Sequence, residues 1–321
     1  MTLTHFKSRR VLNGLAAAAL SLAIAGTAAG SASADTAPGG ADAKRAQAQR
    51  KAAAAPPAFA APRAAAAPGE VSTPAFNMTA VDRRGSIYSY WQDGKGGLKA
   101  GIKLIDADDI NYTGEVQQQA VDNNKDGKED GNYTWWDSGQ LNYSDTSHGV
   151  NVITVGFGWE IYDKVLSPGD LGGAEQADII AIDKAGVLWT YLAYPDGRVT
   201  PRIRIGSGWD AYTQIAGQGD LTGDGRADIV ARDKSGVLWL YKGTGDYKAP
   251  FEPRTRIGAG WNVYDKLLSL GDMDGDGKAD LLARTAGGDL YFYRGTGDAG
   301  SPYAPPVKIG FGYDMFRMMG S

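Results

Sequence analysis

Between Gly206 and Ile257 the chain alternates short apolar runs with polar breaks, and apolar residues do not recur there at helical spacing. Four runs stand out: Tyr212–Gly217, Ala227–Asp233, Val237–Lys242 and Pro253–Ile257. They are rich in β-branched and aromatic residues, which pack well on a pleated surface, and Gly, Asp and Pro between them favour turns. Each run therefore reads as a short strand. Four strands in a unit of about 45–50 residues is the size of one β-propeller blade.

The unit is copied along the chain. Gly219–Asp246, GDLTGDGRADIVARDKSGVLWLYKGTGD, returns 52 residues later as Gly271–Asp298, GDMDGDGKADLLARTAGGDLYFYRGTGD. A Gly-x-Gly-aromatic corner marks the register: Gly156-Phe157-Gly158-Trp159, Gly206-Ser207-Gly208-Trp209, Gly258-Ala259-Gly260-Trp261 and Gly310-Phe311-Gly312-Tyr313. Near the front of the repeats, Asn77–Asp82 matches Asp228–Asp233, Gly85–Tyr90 matches Gly236–Tyr241, and Gly101–Ile105 matches the closing strand. Tyr313–Met319 supplies the first strand which that unit lacks. Pairing the two would close a ring and remove the free sheet edges that invite aggregation. The expected fold is an all-β, five-bladed propeller over 74–321, with blades 310–321 plus 74–105, 106–155, 156–205, 206–257 and 258–309. The unit at 106–155 is the poorest copy, because Asp106–Thr113 replaces its corner.

An acidic loop follows the first strand of the units. In the clearest copy Asp272, Asp274, Asp276 and Asp280 occupy positions one, three, five and nine, with Gly277 at six. Oxygen side chains at that spacing wrap a hard cation, and the main-chain carbonyl of Lys278 at position seven completes the cage. Asp220, Thr222, Asp224, Arg226 and Asp228 repeat the pattern, as do Asp122, Asn124, Asp126, Lys128 and Asp130. Tyr133, Ala231 and Ala283 stand where a helical calcium loop would need its twelfth-position Glu, so these are not EF-hands. About three calcium sites are expected, because several oxygens on a supple loop suit calcium better than magnesium. In the unit at 156–205 the loop reads Asp170-Leu171-Gly172-Gly173-Ala174-Glu175-Gln176-Ala177-Asp178, without the third and fifth ligands, and no metal is expected there.

With those loops read, the GDxxGDGxxDxxxR pattern followed by Gly-x-Leu-Tyr/Trp-x-Tyr resembles the FG-GAP or VCBS repeats of integrin-α-like propellers. The likeness covers about 74–321, strongly in 156–309 and weakly in 106–155. It implies calcium held in inter-strand loops of separate blades, on proteins that adhere or bind outside the cell. A softer likeness, carried by Gly208-Trp209-Asp210-Ala211-Tyr212 and Gly236-Val237-Leu238-Trp239, is to the tachylectin family of sugar-binding propellers. That likeness implies shallow glycan sites between blades.

Composition adds a compartment. Met1–Ala34 has basic residues Lys7, Arg9 and Arg10, an apolar run from Leu15 to Ala25, and Ala32-Ser33-Ala34 before Asp35. This reads as a secretory signal peptide, with an apolar run too short for a stable membrane span. Ser8-Arg9-Arg10-Val11-Leu12 leaves general and twin-arginine export both open. Residues 35–73 are rich in Ala and Pro and read as a disordered tether. Loss of the leader would take the net charge from −4 to −7, which argues against nucleic acid as a partner. The chain has no cysteine, so ring closure and bound metal must do the work of disulfides.

The repeated Trp159, Trp209, Trp261 and Tyr313 read first as packing between blades and second as platforms for sugar rings. His148, beside Asp145 and Ser147, reads as a polar loop residue, since nothing near it resembles a nucleophile elbow. Many aspartates are claimed by the acidic loops, and no acid–base pair for glycoside hydrolysis is nominated. The leading expectation is a secreted, calcium-stabilised binding propeller for glycan or a cell-surface polymer. The rivals are an exported polysaccharide- or ester-acting hydrolase working in the channel, and a bare structural module. Oligomeric state is left open.

Overall fold

The computed structural model describes residues 73–110, 112–147 and 151–321. The leader, the tether as far as residue 72 and His148 lie outside the described residues. The first blade opens with β1 (Met78–Asp82), β2 (Ile87–Tyr90) and β3 (Ile102–Ile105). The second holds β4 (Glu115–Val121), β5 (Gly131–Trp136), β6 (Leu141–Asp145) and β7 (Asn151–Gly156). The third holds β8 (Tyr162–Gly169), β9 (Asp178–Asp183), β10 (Leu188–Tyr191) and β11 (Ile203–Gly206). The fourth and fifth follow with β12 (Tyr212–Ala216), β13 (Ile229–Asp233), β14 (Leu238–Tyr241) and β15 (Thr255–Gly258), then β16 (Tyr264–Leu268), β17 (Leu281–Thr285), β18 (Leu290–Tyr293) and β19 (Val307–Gly310). Last comes β20 (Phe316–Gly320), which pairs antiparallel with β1 through Thr79↔Gly320, Ala80↔Met319 and Val81↔Met318. The described residues thus form five four-stranded antiparallel sheets, and the ring closes as the repeat register requires.

Strand order within each blade places the loops. Antiparallel succession sends the acidic loop and the loop between strands three and four to one face. The two–three turn and the corner leading to the next blade go to the other. At each corner a short 3-10 turn begins at the aromatic residue, after a glycine in the left-handed region, such as Gly208 with φ 94°. The aromatic N–H then donates to a turn carbonyl of the preceding blade: Trp159 to Gly139 at 2.9 Å, Trp209 to Gly186 at 2.9 Å, Trp261 to Gly236 at 2.9 Å and Tyr313 to Gly288 at 3.0 Å. In the second blade Tyr112 makes this bond, to Gly85 at 3.2 Å, and stacks on Trp136. Tyr112 therefore takes the corner's role without the Gly-x-Gly-Trp signature.

Guanidinium groups fasten successive corners. Arg284 Nη1 donates to the carbonyls of Tyr313 at 3.0 Å and Phe316 at 2.8 Å, and Arg232 does the same to Trp261 and Tyr264. The first blade has Val81 at the matching place on its second strand, and Arg317 of β20 serves Tyr112 and Glu115 instead. Apolar clusters fill the seams, for example Tyr133, Trp135, Leu141 and Tyr143 against Trp159, Tyr162 and Val165. The other face of the second blade is different. Gln118, Asn132, Thr134, Asn142 and Ser144 share it and are buried. Asn132 Oδ1, Thr134 Oγ1 and Ser144 Oγ have no hydrogen-bond partner there.

Candidate metal centre

Each acidic loop leaves the inner strand of its blade and must reverse within nine residues. The chain does so with left-handed residues at positions four and six: Gly275 and Gly277 at φ 82° and 85°, Gly223 and Gly225 at 77° and 81°, and Lys125 and Gly127 at 63° and 84°. Lys125 is the only non-glycine with positive φ among the described residues. The reversal gathers backbone N–H groups around the first aspartate. Asp272 accepts from Gly275 at 2.7 Å, Asp276 at 3.1 Å and Gly277 at 2.8 Å. Asp220 accepts from Gly223 at 2.7 Å and Gly225 at 2.7 Å, and Asp122 from Asp126 at 3.2 Å and Gly127 at 2.8 Å.

In the fifth blade the oxygens of Asp272, Asp274 and Asp276 come within 4.8 Å of one another. Three carboxylates that close repel, and burial adds to the cost: the carboxyl of Asp274 is pushed up, first by burial and then by Asp276. Lys278 Nζ at 3.1 Å and Arg294 at 3.6 Å offset part of this charge at Asp276. In the fourth blade Asp220 and Asp224 are joined by Thr222, and Lys242 lies 3.4 Å from Asp224. Thr222 Oγ1 is buried with no hydrogen bond of acceptable geometry, although its nearness to Asp228 lowers that carboxyl slightly. An orphaned hydroxyl at position three is what a loop shaped to offer that oxygen to a cation would contain. In the second blade Asn124 Oδ1 accepts from Asp126 N at 2.8 Å, and burial pushes the carboxyl of Asp122 up. These donor sets are all oxygen and suit a hard cation. The main-chain carbonyls of Lys128, Arg226 and Lys278 stand at position seven of the same loops.

The ninth position behaves differently from the other ligand positions. Asp280 Oδ2 accepts from Met273 N at 2.8 Å and Oδ1 from Gly295 N at 2.7 Å. Asp228 repeats this, with Leu221 N and Thr222 N on one oxygen and Gly243 N at 2.8 Å on the other. These residues bracket the start of the loop to the end of the third strand, and Asp280 lies outside the close carboxylate group. The third blade shows why. Its loop has lost positions three and five, yet Asp178 still accepts from Leu171 N at 3.1 Å and Ala193 N at 3.1 Å. Burial pushes Asp228 and Asp280 up to about 7 and Asp178 well above the carboxylate range. In the second blade Asp130 accepts from Asn123 N at 2.8 Å and Asn124 N at 2.9 Å.

Residues 220–283, which run from the fourth-blade loop through the fifth-blade loop into β17, match the FG-GAP-like repeat. No curated protein matches the chain. Among solved structures the BP39L lectin from Burkholderia pseudomallei is similar at 14% identity, covering 74% of this chain and 71% of that one, with a TM-score of 0.40. An arginine-substituted mutant of AofleA from Arthrobotrys oligospora shows 10% identity, covering 76% and 75%, with a TM-score of 0.43. Yeast RCC1 bound to Kap60 shows 13% identity over 74% of this chain and 60% of that one, with a TM-score of 0.35. At such scores the residues, not the likenesses, carry the functional argument.

The repeated aromatics lie largely inside the seams of the propeller. Trp159, Trp209 and Trp261 are buried, each against a tyrosine: Tyr191, Tyr241 and Tyr293, with ring centroids 4.8, 4.8 and 4.7 Å apart. Tyr313 is half-buried and packs on Tyr90. None of the three buried indoles offers an open face to a sugar. The exposed rings stand two residues earlier in the corner: Phe157 is 75% and Phe311 81% exposed. Ser207 and Ala259 occupy that position in the other two corners, so the fold does not require an aromatic there. That variability is the signal by which Phe157 and Phe311 could have been singled out.

Proposed function

We propose that this chain is an exported, calcium-stabilised propeller that binds glycan or a related cell-envelope polymer. The observation that carries the reading is the set of loops in register, with Asp272, Asp274 and Asp276 drawn within 4.8 Å of one another. When bound, calcium would neutralise carboxylates that otherwise repel and would lock the loops. Asp272, Asp274, Asp276 and the Lys278 carbonyl would hold one ion. Asp220, Thr222, Asp224 and the Arg226 carbonyl would hold a second, and Asp122, Asn124, Asp126 and the Lys128 carbonyl a third. The protein's own contribution is to preorganise the first aspartate of each loop with backbone N–H groups. Export follows from the leader, and among the described residues no helix is long and apolar enough to cross a membrane.

The glycan reading is supported by Phe157 and Phe311, exposed rings on the face opposite the loops and free of any packing duty. Half-buried Trp189 and Trp239 each carry an arginine 4.0 Å from the ring centre (Arg202 and Arg254), a cation and an aromatic ring that a polar ligand could use. A glycan array run with calcium and with chelator tests the reading. Phe157→Ser, which copies the serine of the next corner, should reduce retention and leave the melting temperature unchanged. No retained glycan in either condition would remove the glycan assignment, and melting indifferent to calcium would remove the metal assignment.

A further inference from the structure

The inner strands enclose a central cavity of about 230 Å³, lined among others by Gln117, Lys164, Gln214, Lys266, Ser269 and Ser321. One position recurs around it, the residue that follows the bulge in four inner strands. It pairs Gln117 with Trp135, Lys164 with Ile182, Gln214 with Arg232 and Lys266 with Arg284. The glutamines have a clear task. An inner strand has one edge without a sheet neighbour, and a carboxamide can both donate to and accept from such an edge. Gln117 Nε2 donates to the carbonyl of Val165 at 2.6 Å; Gln214 donates to the carbonyl of Asp265 and accepts from Leu267 N at 2.5 Å.

The lysines cannot serve an edge in both senses, because an ammonium only donates. Lys164 turns to Asp163. Lys266 has neither a hydrogen bond nor an ion pair among the described residues. The nearest charges cancel each other: Asp265 receives Arg284 through two bonds of 2.9 Å, so the carboxylate beside Lys266 is already taken. The cavity therefore holds one uncompensated cation, ringed by carboxamides and hydroxyls and only partly open to solvent. Burial, then Arg284, lowers the amine to about 8, so it is still mostly protonated at neutral pH. A charge kept at that cost and left without a partner is suited to a ligand that supplies one.

We propose that the propeller channel is a binding site for a compact oxyanion, the sulfate, phosphate or carboxylate head of a small polar molecule, with Lys266 Nζ as its charge partner. The site shares no side chain with the acidic loops and does not depend on the calcium or glycan readings. The experiment is calorimetric titration of the full chain with sodium sulfate at constant ionic strength, alongside Lys266→Gln. Glutamine is tolerated by the fold here, since Gln214 holds the same place in the fourth blade. Saturable one-to-one binding that weakens about tenfold or more in Lys266→Gln is expected. Lys164→Gln should change it little, because Asp163 already neutralises that amine. Sulfate should also protect Lys266 from an amine-acylating reagent, read by peptide mass spectrometry. Equal affinity in wild type and Lys266→Gln, or no saturable binding together with no protection, overturns the proposal.

Discussion

The acidic loops of the third and fifth blades share a backbone plan and differ in what neutralises them. In the fifth, Asp272, Asp274 and Asp276 face one another, and in the calcium proposal a cation from solution neutralises them. In the third, only Asp170 is left of that group, and its partner is built in: Lys125 Nζ reaches it from the second-blade loop at 2.7 Å. Both keep the ninth-position aspartate with the same two backbone bonds. The pair therefore separates two functions that one motif had joined. In the calcium proposal positions one, three and five carry the metal chemistry of the loop, while the backbone bonds at position nine give it an architectural task.

The sharpest way to break the comparison is to try to restore the lost site. Gly172 is position three of the third-blade loop and has φ 99°, and a Cβ there would stand 1.9 Å from the carbonyl oxygen of Gly245. The neighbouring loop has filled the space that a ligand would need. Gly172→Asp should therefore destabilise by about 4 kcal/mol, from backbone displacement plus left-handed strain, and should gain no response to calcium. Urea denaturation with and without calcium checks this. Calcium-dependent recovery would show that the loop is merely short of ligands.

The second test asks whether position nine is architecture. Removing the carboxylate strands two N–H donors, one at the loop start and one at the end of the third strand. Asp178→Ala and Asp280→Ala should each cost about 3 kcal/mol. Both losses should appear in chelator, where a pure metal ligand would cost nothing. If Asp280→Ala is silent in chelator while Asp178→Ala is not, the shared role fails.

Asp276→Ala gives the converse. Asp276 accepts only from its own loop and from Lys278 and contacts Arg294, all near the surface. Its loss should lower stability by about 1–3 kcal/mol in saturating calcium and by almost nothing in chelator. Thermal melting in the two buffers measures the difference. Equal losses in both would mean that the three carboxylates hold no ion.

Much of this was legible in the chain because a propeller repeats itself. The register of β20 against β1 follows from matching Asn77–Asp82 with Asp228–Asp233, since the repeat carries over the pairing of β12 with β13 and alternation excludes a one-residue slip. The turns of the acidic loops, with left-handed residues at positions four and six, were legible for the same reason. The bracket role of Asp280 was not, because position nine looks like any other oxygen ligand until the partner N–H groups from the third strand are in place. Tyr112 was hidden because its corner lacks the marker glycines, and only the bond to Gly85 reveals it. Lys266 was hidden too. A lone lysine in a strand usually faces solvent, and nothing local says that this strand lines a channel.

The smallest expected effect comes from the built-in cation. Lys125 and Asp170 are each about three-quarters covered, with side-chain exposures of 23% and 26%, so their attraction exceeds that of a fully exposed pair but remains partly screened. Lys125→Met keeps the aliphatic stem and the same left-handed strain at φ 63°, whereas Lys125→Gly would relieve that strain and obscure the result. The methionine variant should lose about 0.5–1 kcal/mol at low ionic strength and less as salt is added. A double-mutant cycle with Asp170→Asn isolates the pair, because the two residues touch directly. A coupling that vanishes in high salt is expected from an ion pair between neighbouring blades. A coupling indifferent to salt would mean that Lys125 acts through packing, and the third-blade loop would then have no cation of its own to set against the fifth.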